Sequence, residues 1–71
     1  MKKSVVIYGK KTCPHTMKAL EVYERKGYIV EYIDVIEDEY YLDEMLTLSQ
    51  GKRAVPVIVE GEKVSIGFGG T

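Results

Sequence analysis

The sequence predicts an α/β domain, a four-stranded mixed sheet in the order β-α-β-α-β-β with helices packed on it. Three observations carry that prediction. Short β-branched runs lie at residues 4–8, 28–35, 57–60 and 63–66. Two segments with apolar residues at helical spacing fill the gaps between the first three runs. Glycine or proline punctuates nearly every junction. Residues 1–71 are read as one domain, because a chain of 71 residues is near the lower size limit for a single core.

The first run, Ser4 to Tyr8, is apolar from Val5 on and stops at Gly9, as expected of a strand buried on both faces. A polar loop follows, Gly9 to Thr12. Pro14 then opens a helix, since proline at the first helical position gives up no needed hydrogen bond. Met17, Ala19, Leu20 and Tyr23 are expected to share its inner face, and Gly27 ends it. Residues 28–35 are aromatic and β-branched and read as the second strand. Asp38 is an N-cap residue type, placed to start a helix over 39–50 with Leu42, Met45 and Leu46 as its apolar stripe. After Gly51, strands at 57–60 and 63–66 flank a short turn around Gly61 and form a hairpin. The first β-α-β is a right-handed crossover between parallel strands. The tail from Gly67 is rich in glycine and is expected to be irregular.

Composition narrows the function classes. Apolar residues at 45% and charged residues at 30% describe a folded globular chain. No apolar run nears the roughly 18 residues of a membrane span, and the apolar run after the two N-terminal lysines is too short for a signal peptide. The expectation is a cytoplasmic protein whose free thiol stays reduced. Net charge is −1 but uneven: residues 1–26 carry seven bases against two acids, and residues 31–44 carry seven acids and no base. A pI near 5.8 without a basic, aromatic-interleaved stripe argues against nucleic acid.

The chemistry centres on the one cysteine, Cys13, set between the polar loop and Pro14. There it is the N-cap of a helix, where first-turn N–H groups and the helix dipole favour thiolate over thiol. An ordinary thiol titrates at about 8.5 and is a few per cent ionised at pH 7. Thr16, one turn in, is placed to add a hydroxyl donor. His15 would lower the thiol further as an imidazolium, or is a plain first-turn residue. Cys13 and His15 alone do not make a metal site.

Cys13-Pro14-His15-Thr16 after a strand ending Ile7-Tyr8, together with Ile33-Asp34-Val35, Ala54-Val55-Pro56 and a glycine-containing tail, resembles the glutaredoxin family of the thioredoxin fold. The chain is similar in length to very short bacterial glutaredoxin-like proteins. The resemblance implies a glutathione-linked thiol–disulfide oxidoreductase with glutathione as co-substrate, acting on glutathionylated or disulfide substrates. Cys13 would be the nucleophile. Lys10, Pro14, His15 and Thr16 would favour its thiolate. Lys10, Thr12, Arg53, Val55, Pro56, Gly67, Gly69 and Gly70 would bind glutathione, with Pro56 cis and the Val55 backbone pairing with the tripeptide. Lys10, Lys11, Lys52 and Arg53 would form a basic rim.

Two departures qualify the likeness. Thr16 stands where most glutaredoxins have a second cysteine, so only a monothiol route is open. The tail lacks the family's final helix, which leaves one sheet face less covered and is compatible with a homodimer. An iron–sulfur carrier bridged by glutathione, or a redox-sensing module with little turnover, are the rival readings.

Overall fold

The computed structural model describes residues 3–68. Six elements follow one another: β1 (Ser4–Gly9), α1 (Pro14–Arg25), β2 (Ile29–Asp34), α2 (Glu39–Leu48), β3 (Val57–Glu60) and β4 (Lys63–Ile66). They form one sheet in the order β2-β1-β3-β4, with β1 parallel to β2 and antiparallel to β3. The predicted β-α-β-α-β-β order and the mixed sheet are both present. Among the described residues two helices pack on the sheet and none follows β4. Gly69 and Gly70, expected to contribute to a ligand site, lie outside the described residues.

The faces of β1 explain why its run is uninterrupted by polar residues. Val5 and Ile7 point to the α1 side, where they pack with Ala19 and Ile58. Tyr8 points to the opposite side, where it packs with Val35, Met45 and Val57 beneath α2. A strand covered on both sides has no place for a charged residue. Burying each such aliphatic side chain contributes about 1.5–3 kcal/mol.

Helix boundaries follow the expected signals, with small shifts. Lys26 is the C-cap of α1, and Gly27 follows at φ +84°, a conformation that a residue with a side chain rarely adopts. Asp38 caps α2 by accepting a hydrogen bond from the Tyr40 amide at 2.9 Å. This helix ends at Leu48, two residues before the expected 50, because Ser49 and Gln50 turn out of it, Gln50 at φ 58°. The second strand is shorter by one residue at each end than the expected 28–35. The hairpin has the expected strands, Glu60 pairing with Lys63 across a two-residue turn in which Gly61 has φ 62°.

One core expectation fails. Met17 is 44% exposed, while Thr16, one position earlier, is fully buried. The inward stripe of α1 is Thr16, Ala19, Leu20 and Tyr23, the i, i+3, i+4, i+7 pattern, and Met17 lies about 100° round the helix from its first member. On the α1 side of the sheet Phe68 adds cover, packing against the α1-side cluster with its ring centroid 6.3 Å from that of Tyr23.

Candidate active site

Cys13 sits between the end of β1 and the first turn of α1. Its amide donates to the Lys10 carbonyl at 3.1 Å, closing a turn that carries Lys11 and Thr12 outward, both exposed. Its own carbonyl accepts from the Met17 amide at 3.2 Å, the first hydrogen bond of the helix. Cys13 is therefore the N-cap and Pro14 the first helical residue, as the sequence predicts.

The cap differs from an ordinary one. No side-chain hydrogen bond closes it, and no acidic residue lies in the first turn. The thiol instead lies 4.0 Å from the Val55 carbonyl, to which it is placed to donate. Val55 precedes Pro56, and the bond between them is cis, as expected. Backbone from the loop before β3 thus borders the sulfur, and Cys13 is only 8% exposed. A loop-to-helix junction is a poor hiding place by itself; the cover comes from a segment over 40 residues along the chain.

Burial pushes the Cys13 thiol up, but the opposing influences together outweigh it, and the thiol lies below its ordinary range. The Thr16 hydroxyl leads these influences, followed by the backbone amides of Thr16 and His15 and then the charge of Lys10. His15 and Thr16 are the second and third helical residues, whose amides an N-cap side chain normally engages. The Thr16 hydroxyl is itself fully buried and has no hydrogen-bond partner of ordinary geometry. A donor with no other partner, lying near the sulfur, interacts more strongly with a thiolate than with a thiol.

The remaining predicted residues lie at varying distances from the sulfur. Lys10 is half-buried and acts on Cys13, and His15 is half-buried in the first turn. Lys52 and Arg53 are exposed on the loop that leads to Val55. Lys11 lines a cleft of about 540 Å³ with Glu31, Asp34, Glu37 and Asp38, so the expected basic rim meets acids on that side. Gly67 has its amide engaged internally, donating to the Pro56 carbonyl at 2.7 Å. That hydrogen bond ties the end of β4 to the cis-proline and leaves the Gly67 amide less free for a ligand.

Sequence reasoning did not single out Ser49. It is buried, and its hydroxyl donates to the Lys52 carbonyl at 2.6 Å, fastening the loop that carries Arg53 and Val55. A serine after a helix is too common to mark such a role. Tyr8 donates to the Glu44 carboxylate, a pairing of residues 36 apart that local pattern cannot reveal. Among the described residues no group of three His, Cys, Asp or Glu side chains is arranged to hold a metal ion, and no helix is long and apolar enough to cross a membrane.

The glutaredoxin family model matches residues 5–64. Among solved structures, the glutaredoxin from Archaeoglobus fulgidus superposes with a TM-score of 0.82 and is 30% identical, with 94% of this chain and 77% of that one covered. The glutaredoxin-like protein NrdH-redoxin from Escherichia coli, described by its thioredoxin-like activity profile, superposes at 0.79 with 24% identity, covering 93% of this chain and 84% of that one. No curated protein sequence matches the chain.

Proposed function

Since the chain belongs to the glutaredoxin family of redox proteins, we propose that it is a glutathione-linked thiol–disulfide oxidoreductase that works by a monothiol route. The observation that supports this most is the lone Cys13 at the N-cap of α1, its thiol lowered, with Thr16 in the place where a second thiol would resolve a disulfide.

The Cys13 thiolate attacks the glutathione sulfur of a mixed disulfide. The new bond joins Cys13 to glutathione, and the substrate leaves as a thiolate that takes a proton from water. The thiolate of a second glutathione then attacks the glutathione sulfur held on Cys13. Glutathione disulfide departs and the Cys13 thiolate is restored. Each turnover consumes one glutathione thiol: the substrate–glutathione disulfide is exchanged for glutathione disulfide, and the substrate thiol is released. In this reading the Val55 backbone pairs with the tripeptide, Pro56 presents it, and Lys10, Thr12 and Arg53 meet glutathione carboxylates. Gly67, Gly69 and Gly70 would complete the γ-glutamyl end.

Turnover of a small glutathione mixed disulfide, with glutathione as reductant and oxidised glutathione followed enzymatically, tests the proposal. Turnover that requires Cys13 and saturates with the mixed disulfide supports it. No rate above that of a Cys13→Ser variant would defeat it.

A further inference from the structure

Gly9 is the last residue of β1, and its φ lies outside the left-handed region, so backbone conformation does not call for glycine there. Space does. A Cβ at this position would lie 2.4 Å from Thr16 Cγ2, 2.6 Å from Thr16 Oγ1 and 3.0 Å from Thr16 Cβ. Carbon atoms in favourable contact are about 3.5–4.0 Å apart. Neither partner can retreat cheaply. Gly9 pairs with Asp34 in the sheet and its carbonyl accepts from the Val35 amide at 3.0 Å. Thr16 is fully buried against the sheet, in the first turn of α1. The side chain it packs into that notch carries a hydroxyl with no partner of ordinary geometry.

We propose that Gly9 is a positioning residue for Cys13: by having no side chain it forms a notch that seats the Thr16 side chain and so fixes where its hydroxyl stands relative to the sulfur. Any side chain at position 9 rotates Thr16 or lifts the start of α1, and both displace the hydroxyl. Gly9 touches no reacting atom and acts only through Thr16. The inference rests on Cys13 working as a thiolate, and it extends the proposed function to a residue outside the Cys-Pro-His-Thr segment.

The test is a thiol titration by absorbance at 240 nm, without glutathione, so a failure of turnover and a failure of this inference are told apart. Four proteins form a cycle: the native chain, Gly9→Ala, Thr16→Val, and the double variant. Gly9→Ala raises the Cys13 pKa by about one unit, the size expected for one lost hydrogen bond to the charged form. Thr16→Val raises it by a similar amount. The double variant titrates with Thr16→Val alone, because there is no hydroxyl left to misplace. Additive shifts, or a folded Gly9→Ala protein with a native titration, would overturn the proposal. If Gly9→Ala does not fold, the comparison moves to Thr16→Ser, which keeps the hydroxyl and deletes the methyl nearest the notch. Gly9→Ala in that background raises the pKa above that of Thr16→Ser alone; identical titrations would count against it.

Discussion

At the start of α2, Asp38 is exposed, accepts the Tyr40 amide at 2.9 Å and is followed by Glu39 in the first turn. At the start of α1, Cys13 is nearly buried, makes no side-chain cap hydrogen bond, and is followed by Pro14 with no acid in the turn. The two caps occupy the same position on two helices and do different things. Asp38 satisfies orphan amides and favours the helix dipole, which stabilises the fold. Cys13 leaves the corresponding amides and dipole available to a sulfur whose charge, in the proposed reaction, comes and goes. A helix start that is poorly capped for stability is well prepared to hold a developing anion.

The sharpest way to break the contrast is Cys13→Ser. Serine is a better N-cap, so stability in urea rises by about 0.5–1 kcal/mol while thiol-dependent turnover is lost entirely. Unchanged turnover would remove Cys13 from the chemistry. Next in size is Thr16→Val, which deletes a buried hydroxyl lacking a partner. Below the folded pKa, where the thiol is protonated, stability rises by about 1 kcal/mol; the thiol returns toward its ordinary value, visible as alkylation by iodoacetamide shifted to higher pH.

The sign of the pH effect on the native chain follows from the lowered thiol. Between the folded pKa and the ordinary one, the folded state has lost the proton that the unfolded state still holds. Stability therefore rises with pH across that window, is flat above it, and is lost as pH falls through the folded value. The difference in urea midpoint between native and Cys13→Ser proteins, followed from pH 5 to 9, checks this. At the alkaline end Tyr32, raised to about 12 chiefly by burial and by Asp34, acts the other way, its contribution falling as pH rises above 10.

Asp38→Ala sharpens the comparison from the other side. It costs about 1 kcal/mol in urea denaturation and leaves the Cys13 titration where it was. A shifted titration would mean the two caps are coupled through the sheet. The smallest effect belongs to Lys10→Gln. Its charge is the last of the influences lowering the thiol, so the rise is slight and disappears at high ionic strength. A rise that persists at 1 M salt would assign Lys10 a direct contact instead.

Both caps were legible in the sequence because a cap is a local device: Asp38 before a helical stripe, and Cys13 before Pro14. The hairpin was legible for the same reason, with Gly61 marking its turn. What escaped were relations across the chain. Gly9 is a plain strand terminator until Thr16 is seen packed against its Cα, and Met17 looked like core until the sheet selected Thr16 in its place. The engagement of the Gly67 amide with Pro56 joins two segments that no spacing rule connects. The acidic run at 31–44 announced itself in composition, but that it surrounds Lys11 was not visible there.

The loop before β3 is fastened at both ends, by the Ser49 hydroxyl on the Lys52 carbonyl and by the Gly67 amide on the Pro56 carbonyl. The freedom of the Arg53–Val55 segment is therefore surrendered during folding, long before any substrate arrives. In the proposed function, a peptide lying along Val55 would meet a shelf already set, and the ordering cost of the encounter would fall on the peptide alone. Such a shelf would favour short, pliable disulfides, which can conform to it, over rigid ones held inside a folded surface.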